Sequence, residues 1–223
     1  MIELRNVTKT YGTRCVLNIP SLTLERGKIY AAVGANGSGK STLARIIAGA
    51  LTPDKGSEVL RGADLRVGYM PQASYPFQLS VLSNVLLASR DRKADTPRAM
   101  ALLEELGIAE LAKKKASRLS GGETARMALA RLLMKENDIL VLDEPAAALD
   151  IHATQKAEEI IRRYRDEKNC TVFLVTHSLK QAERMADELL FMYEGALAEH
   201  GNCRKVLAAP KDARTKQFFD FYA

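Results

Sequence analysis

The sequence predicts an α/β fold with a mostly parallel sheet. Two short apolar runs in the last third of the chain, residues 139–142 and 171–175, have the composition of buried strands, and a helical pattern separates them. A third apolar run, residues 29–33, leads through a glycine-rich segment into another helical pattern. Strands that alternate with helices are typical of parallel sheets covered by helices.

The first third of the chain predicts mainly short strands. They fall at residues 2–4, 21–24, 29–33, 57–60 and 67–70. Gly12 and the run Glu25-Arg26-Gly27-Lys28 are turn signals between the first three. A helical pattern runs from Lys40 to about Ala50, and we expect Thr52-Pro53 to end it.

The middle of the chain predicts helices. Thr96-Pro97 has the composition of a helix start, because threonine caps well and proline suits the first helical position. Ala99, Leu102, Leu103 and Leu106 follow at helical spacing, and Gly107 is a fitting stop. A second helix is predicted at 121–134. This helical part would be inserted between two halves of the α/β core.

The last third completes the core. Helices are predicted at 151–168 and 178–186, on either side of the strand at 171–175. Residues 189–193 and 196–199 are predicted to form a hairpin around Glu194-Gly195.

Composition excludes several classes of protein. With 223 residues, 47% apolar and 27% charged, the chain is long enough for one large domain with a real core, and disorder is excluded. Cys15, Cys170 and Cys203 are widely spaced and form no C-x-x-C pair, so we expect neither disulfides nor zinc, as in a reducing cytoplasm. The net charge of +6 fits an acidic partner, or simply a soluble basic surface.

No membrane-spanning or secretory segment is expected. The N-terminus has no basic region followed by an apolar one. Residues 67–89 carry no Asp, Glu, Lys or Arg, but they contain prolines, glutamines, serines and an asparagine. Such a stretch is too polar and too interrupted to span a bilayer. We therefore expect a chain that is soluble by itself.

The strongest motif is Gly34-Ala35-Asn36-Gly37-Ser38-Gly39-Lys40-Ser41, which matches G-x-x-x-x-G-K-[ST]. It lies between a predicted strand and a predicted helix, where glycines let the backbone wrap a phosphate and the helix N-terminus favours negative charge. Lys40 would reach the β- and γ-phosphates, and Ser41 would ligate Mg²⁺. The alternative is a glycine-rich turn with a chance lysine.

Other candidates are weaker in isolation. The strand at 139–142 runs into Asp143, which would hold Mg²⁺, and Glu144, which would polarise a water. Adjacent carboxylates also commonly cap helices. The run Leu119-Ser120-Gly121-Gly122-Glu123 could form a second phosphate-binding helix N-terminus, or only a turn into a helix. His177 follows a strand end, where a histidine is often purely structural, and Gln72 and Tyr11 are unremarkable alone.

These features occur together and in a fixed order, and in this the chain resembles the nucleotide-binding subunits of ABC transporters along nearly its whole length. The matching motifs are the phosphate loop, Gln72, LSGG at 119–122, Leu142-Asp143-Glu144-Pro145, Ala148-Leu149-Asp150 and His177. The resemblance implies a P-loop NTPase core with a mostly parallel sheet, an N-terminal antiparallel β subdomain and an inserted α-helical subdomain. The core would comprise residues 1–72 and 136–223, and the helical subdomain would comprise about 73–135 with the LSGG signature.

The resemblance also implies a role for each site residue. Tyr11 stacks on adenine, and the cofactor-binding set around the phosphates is Gly34, Asn36, Gly37, Ser38, Gly39, Lys40, Ser41 and Thr42. Ser120, Gly121 and Gly122 bind the γ-phosphate of an ATP held by a second copy, and Asp150 lies in the loop that couples the two sites. The metal set is Ser41, Gln72 and Asp143, and the catalytic set is Glu144 as base, His177, Lys40 and Gln72.

By the same resemblance, the cofactors are ATP and Mg²⁺, and the working unit is a head-to-tail pair with a second ATPase subunit. The pair would energise solute transport through separate transmembrane permease subunits, with a solute-binding protein in the full system. It would lie peripherally on the cytoplasmic face of the cell membrane, with no direct contact to nucleic acid. The alternative is a soluble ATPase of the same type in nucleic-acid or translation processes.

Two positions depart from the family pattern. Glu123 replaces the commoner glutamine of the signature, which should be tolerated because a helix N-terminus favours an acid in its first turn. Ala146-Ala147 stands where Thr-Ser is usual, so one hydroxyl contact between subunits is missing. Neither change removes a catalytic group, and we predict an active ATPase.

The uncharged stretch 67–89 suggests a surface for the membrane partner, since interface cores are poor in charge. We expect Tyr75, Phe77, Leu79 and Val81 near a groove that receives a short helix of the membrane protein. The alternative is that these residues form a buried loop and helix of the insertion.

Overall fold

The computed structural model describes residues 1–62 and 64–222, with Arg61 described by its backbone alone. The strands in these residues are β1 Ile2–Tyr11, β2 Arg14–Leu24, β3 Ile29–Val33, β4 Glu58–Arg61, β5 Val67–Met70, β6 Ile139–Asp143, β7 Thr171–Val175, β8 Glu188–Tyr193 and β9 Ala196–Asn202. The α-helices are α1 Lys40–Ala48, α2 Val81–Val85, α3 Arg92–Glu105, α4 Gly121–Leu133, α5 Ile151–Lys168, α6 Leu179–Met185, α7 Cys203–Ala208 and α8 Ala213–Tyr222. Single 3₁₀ turns lie at Leu86–Ala88, Ala109–Leu111 and Ala116–Arg118.

The described strands form one sheet in the order β4-β1-β2-β9-β8-β3-β7-β6-β5. The half from β8 to β5 is parallel throughout, whereas β4, β1 and β2 pair antiparallel. A single parallel pair, Asn18 opposite Ala196, links β2 to β9. The predicted fold class is confirmed: a mostly parallel α/β core carries an antiparallel β part at its N-terminal side and a helical insertion.

The central strands are buried on both faces, which explains their continuous apolar sequences. Every residue of β3, β6 and β7 is buried. Alternate side chains of β6 point to opposite faces of the sheet: Ile139 and Val141 pack with α1, and Leu140 and Leu142 pack with the cluster that contains α4 and α5. The strand ends are therefore held by helices above and below the sheet.

The hairpin of β1 and β2 is longer than predicted. Pairing continues from Ile2 opposite Leu24 to Tyr11 opposite Arg14, and Gly12 in the turn has φ 58°. The short strands predicted at 2–4 and 21–24 missed this extension because the remaining residues are mostly polar and solvent-facing. The hairpin brings Tyr11 and Arg14 towards the phosphate loop.

The start of α3 was wrongly placed at Thr96-Pro97. The helix begins at Arg92 because Asp91 accepts hydrogen bonds from the N–H groups of Lys93 and Ala94, both at 3.0 Å. An aspartate cap upstream thus takes precedence, and Pro97 lies inside the helix. The predicted stop is confirmed: Gly107, at φ 64°, donates its N–H to the carbonyl of Glu104.

The regular structure between β5 and β6 is helical, and α2, α3 and α4 pack together as a layer whose apolar side chains also contact the sheet. Val81, expected at a groove, is instead fully buried, because the first residue of α2 faces the layer's core. Tyr75, Phe77 and Leu79 are exposed. Within the described residues, no helix combines the length and the apolar character that crossing a membrane requires.

Candidate functional site

The candidate site lies at the carboxyl ends of four neighbouring parallel strands. The glycine-rich loop follows β3, Gln72 follows β5, Asp143 ends β6 with Glu144 directly after it, and His177 follows β7. Parallel strands place their carboxyl ends at one edge of the sheet, where α/β proteins bind ligands. Segments more than 100 residues apart in sequence are therefore neighbours here.

The glycine-rich loop needs two of its glycines for close backbone approaches. A Cβ on Gly34 would lie 2.2 Å from the carbonyl oxygen of Met192, and one on Gly39 would lie 2.8 Å from that of Val16. Both residues also have positive φ, 147° and 99°. The loop is held against the β8–β9 turn and β2, so its N–H groups keep a fixed geometry.

Lys40 is buried beneath this loop. Its ammonium donates hydrogen bonds to the carbonyl oxygens of Gly34 and Ala35, both at 2.8 Å. Burial lowers the pKa of Lys40, and the charges of Glu144 and Asp143 partly offset that effect. A desolvated ammonium in a phosphate-sized loop is well suited to bind anionic oxygens.

Ser41 and Asp143 form an oxygen pair beside the loop. The Ser41 hydroxyl donates to Asp143 Oδ1 at 3.0 Å, and burial raises the pKa of Asp143 against that hydrogen bond. Hydroxyl and carboxylate oxygens fit Mg²⁺, which usually takes few protein ligands and keeps waters or phosphates for the rest. Among the described residues there is no cluster of three or more His, Cys, Asp or Glu that would form an all-protein metal cage.

Glu144 is the centre of a second cluster. Its carboxylate accepts a hydrogen bond from Gln72 Nε2 at 3.0 Å and lies 2.5 Å from His177 Nε2. Its backbone has φ 53°, a strained value for a non-glycine residue that recurs at functional sites, and its N–H donates to the carbonyl of Val175. The structure brings together the three predicted residues Gln72, Glu144 and His177.

The two groups of residues share a cleft of about 480 Å³. The residues that line it are Tyr11, Arg14, Val16, Asn36, Gly37, Gly39, Lys40, Ser41, Thr42, Gln72, Glu144 and His177. Arg14 and Val16 were not predicted. The signal that could have found them is their place in the hairpin just after Tyr11.

The signature residues lie elsewhere. Ser120 caps α4: its hydroxyl accepts from the N–H of Glu123 at 3.2 Å, and the Glu123 carboxylate accepts from the N–H of Ser120 at 2.7 Å. These bonds hold the pKa of Glu123 below its usual value. None of Ser120, Gly121 and Gly122 lines the cleft of the phosphate loop.

The loop that follows Glu144 packs on the signature. A Cβ on Gly122 would lie 2.7 Å from the carbonyl oxygen of Ala148. Asp150 then caps α5 by accepting from the N–H of Ala153 at 2.8 Å, and it does not line the cleft either. Both segments are therefore positioned together, outside the chain's own phosphate-loop cleft.

Comparison with known families gives one match. The sequence profile of the family described as "ABC transporter" matches residues 17–147. That range contains the phosphate loop, the signature and the pair Asp143-Glu144.

Relatives among curated proteins are ATP-binding subunits of uptake systems. The chain is 36% identical over 207 residues to the tungstate uptake system ATP-binding protein TupC of Peptoclostridium acidaminophilum, which covers 89% of this chain and 97% of that protein. It is 36% identical over 217 residues to the aliphatic sulfonates import ATP-binding protein SsuB 2 of Paracoccus denitrificans, covering 97% of this chain and 86% of that protein.

A solved structure resembles the fold closely. The dimeric structure of MJ0796, a bacterial ABC transporter cassette, superposes with a TM-score of 0.83 at 27% identity, and the match covers 92% of this chain and 99% of that chain.

Proposed function

Because this chain belongs to the ABC transporter family, we propose that it is the ATP-binding and ATP-hydrolysing subunit of an import system, acting through a separate membrane subunit. One observation carries the proposal: Gln72, Glu144 and His177 meet in the cleft that also contains the phosphate loop and Lys40. A chain that only bound nucleotide would not need a base and a histidine at this place.

ATP is bound by the phosphate loop, with its adenine at the hairpin. Lys40 and the loop N–H groups hold the β- and γ-phosphates. The dipole of α1, whose N-terminus points at the loop, also stabilises their negative charge. Tyr11 is more than half exposed at the mouth of the cleft and offers its ring for stacking on the base.

Ser41, Asp143 and Gln72 would hold Mg²⁺ beside the phosphates. The pair Ser41–Asp143 supplies two hard oxygens at the loop, and Gln72 lies across the cleft. When bound, the ion would neutralise charge on the phosphate oxygens.

Hydrolysis uses Glu144 as general base. Its carboxylate accepts a proton from a water as the water oxygen attacks the γ-phosphorus, and the bond from the γ-phosphorus to the bridging oxygen breaks. Lys40 and His177 stabilise the charge that spreads over the phosphoryl oxygens. Gln72 and His177 both contact the Glu144 carboxylate and so fix its position.

The complete site requires a second ATPase subunit. Ser120, Gly121 and Gly122 are absent from the lining of the chain's own cleft, yet they open a helix whose N-terminus suits a phosphate. Placed head to tail, two copies would set each signature over the other's phosphate loop. The dimeric cassette similar to this chain supports such a pair.

The helical subdomain, about residues 73–135, would contact the transmembrane permease. A groove of about 470 Å³ lies between the uncharged stretch and α4, with Tyr75, Phe77 and Leu87 among its lining residues. Arg131 lies over the ring of Phe77 at 5.2 Å and holds it at the groove. We propose that a short permease helix docks here, that the subunit lies at the cytoplasmic face of the membrane, and that the system includes a solute-binding protein.

The hydrolysis mechanism is tested with Glu144→Gln. The amide cannot accept the proton, so we expect steady-state hydrolysis to fall by roughly 100-fold or more, while the affinity for ATP is kept. Hydrolysis is measured by phosphate release, and affinity by calorimetry with Mg-ATP. Steady-state turnover retained in this variant would contradict the role of Glu144.

The membrane contact is tested with Tyr75→Glu. Charge in the groove should weaken co-purification with the permease from solubilised membranes and leave ATP affinity unchanged, because Tyr75 lines the groove and does not line the cleft. The matched control is Phe221→Glu, which adds a charge at an equally exposed aromatic residue on α8. Equal permease recovery with Tyr75→Glu and the wild type would exclude this groove as the docking site.

A further inference from the structure

The turn that carries His177 is fixed by the residue before it. His177 lies between the end of β7 at Val175 and the start of α6 at Leu179. The Thr176 hydroxyl oxygen accepts a hydrogen bond from the N–H of Ser178 at 3.1 Å, which closes the turn across His177. The N–H of Thr176 donates to the carbonyl of Ala32 on β3.

The Thr176 hydroxyl is itself held by a buried amide. It donates to Gln181 Oε1 at 2.7 Å, and Gln181 Nε2 donates to Glu158 Oε1 at 3.1 Å. A carboxylate only accepts, so the Gln181 NH₂ must face Glu158 and its oxygen must face Thr176. This polarity leaves the Thr176 oxygen free to accept from the turn.

Glu158 anchors the chain of hydrogen bonds. It is 3% exposed, and Arg184 donates to it from Nε at 3.0 Å and Nη2 at 2.7 Å. A buried carboxylate is tolerated when it is paired and hydrogen-bonded in this way. Glu158 lies on α5, whereas Gln181 and Arg184 lie on α6, so the anchor also joins the two helices.

The protein encloses the imidazole of His177 only in part. A cavity of about 290 Å³ lies beside His177 and Glu144, and Ala146 and Ala147 are among the residues that line it. Small side chains at these two positions leave the ring without a tight wall. The direction of the ring therefore depends on the backbone of its turn and on Glu144.

We propose that Gln181 is a positioning residue that acts through Thr176 to aim His177 at Glu144 and the γ-phosphate. It does not line the cleft of the phosphate loop, so it acts without touching ATP. This inference rests on the proposed role of His177 in hydrolysis. Glu158, paired with Arg184, orients the Gln181 amide. The amide orients the Thr176 hydroxyl, and that hydroxyl holds the turn that contains His177.

Kinetics test the pathway with Gln181→Met, Thr176→Val and the double variant. Misaiming His177 should lower kcat by roughly tenfold to a hundredfold, with the KM for ATP changed less than about twofold. Because both residues act in one chain of bonds, the double variant should be no slower than the slower single variant. Fully multiplicative losses would overturn the pathway through Thr176, as would an unchanged kcat in Gln181→Met.

The imidazole provides a readout that does not need turnover. The chain has three histidines, so ¹⁵N-histidine labelling with a His177→Ala reference assigns the His177 ring signals. In nucleotide-free Gln181→Met these signals should shift or broaden, and those of His152 and His200 should stay in place. Unmoved His177 signals would overturn the proposal. If these signals move but the wild type hydrolyses no ATP, the proposed function fails and the positioning stands.

The matched control is Tyr164→Phe on the same helix as Glu158. It removes a buried hydroxyl that donates to the carbonyl of Lys135 at 2.7 Å and accepts from the N–H of Asn137 at 2.8 Å. It should cost stability like the other variants and leave kcat and the His177 signals unchanged. A fall in kcat or a shift of the His177 signals in this control equal to those in Gln181→Met would show a general effect of destabilised packing, and would overturn the specific role.

Discussion

The phosphate loop and the signature segment both begin a helix with glycines and a serine, yet they differ in burial and in their position relative to the cleft. Ser38 and Lys40 are buried, and Lys40 lines a cleft that also contains Gln72, Glu144 and His177. Ser120 and Gly121 are exposed at the start of α4, and they line no part of that cleft. The first segment is one half of a site built by the sheet. The second is exposed to solvent, as the proposed pairing with a second subunit requires.

Their internal bonds show the same difference. Lys40 donates to loop carbonyls and forms no ion pair with a carboxylate of the described residues, so its charge suits an anionic ligand such as a phosphate. In the signature, the side chains of Ser120 and Glu123 each accept a hydrogen bond from the other residue's backbone N–H, which forms a capping box. In the part of the chain that the structure describes, the box uses the N–H groups of Ser120 and Glu123, and the proposed phosphate would bind to those of Gly121 and Gly122.

The largest effect is expected at the phosphate loop, from Lys40→Ala. Loss of one partner of a buried charge pair costs about 2–5 kcal/mol, so we expect the dissociation constant of ATP to rise by roughly 30-fold or more. Calorimetry with Mg-ATP measures it. Lys156→Ala, at an exposed lysine on α5, should bind like the wild type. An equal affinity in Lys40→Ala and wild type would refute binding at this loop.

A smaller effect is expected at the signature, from Ser120→Ala in a Glu144→Gln background. ATP binding to the single chain should change less than about twofold, because Ser120 is not in its cleft. The ATP-dependent dimer should weaken roughly tenfold for each of its two signatures, since a hydrogen bond to a charged group contributes about 1.5–3 kcal/mol. Sedimentation velocity with and without ATP separates the two quantities.

The control for Ser120→Ala is Ser80→Ala. Ser80 caps α2 and accepts from the N–H of Ser83 at 3.1 Å, so the same kind of cap is lost elsewhere, at a cost of about 0.5–2 kcal/mol. Its dimer should match that of the background protein. If Ser120→Ala reduced ATP affinity of the single chain as strongly as Lys40→Ala does, the distinction between the two segments would be wrong.

The smallest effect is expected from Glu123→Gln. The Ser120 N–H lowers the pKa of Glu123 below the ordinary 4.5. The folded state then binds fewer protons than the unfolded state, so this stabilisation is present above pH 4.5 and is lost as the pH falls through the folded value. At neutral pH we expect glutamine to cost about 0.3–1 kcal/mol, with the difference from wild type fading in acid.

Urea unfolding at a series of pH values measures the Glu123 effect. Glu104→Gln removes an exposed carboxylate near the C-terminal end of α3 and should show no such loss. A difference between Glu123→Gln and wild type that grows in acid would contradict the assigned sign.

Sequence patterns predicted the elements whose structure follows from a short, contiguous run of residues. The apolar runs of β3, β6 and β7 lie where they were predicted, because strands buried on both faces need unbroken apolar sequence. The edge hairpin was predicted too short, since its outer residues face solvent. The start of α3 was missed because Asp91 and Thr96 both have the composition of a cap, and only the folded chain shows which one is used.

The candidate site divides in the same way. The phosphate loop and the pair Asp143-Glu144 each belong to a motif that is contiguous in sequence, so they could be predicted. The structure brings them together with Gln72 and His177. Their individual roles stay predictions. The bonds from Glu158 to Gln181 left no trace in sequence, because a glutamate and a glutamine on two amphipathic helices look like ordinary surface residues until the helices pack.

The four adjacent parallel strands fix the distances between the site residues that follow them. Neighbouring strands lie about 4.8 Å apart, so the register of β5, β6 and β7 sets the distances between Gln72, Glu144 and His177, whatever the chain does between the strands. The loop from β5 to β6 contains a whole helical layer, and that from β6 to β7 contains one long helix. Any segment that joins the same two strand ends leaves the relative positions of these three residues unchanged. The surface of the helical layer can thus vary without altering the spacing of Gln72, Glu144 and His177, provided that the signature at the start of α4 is kept.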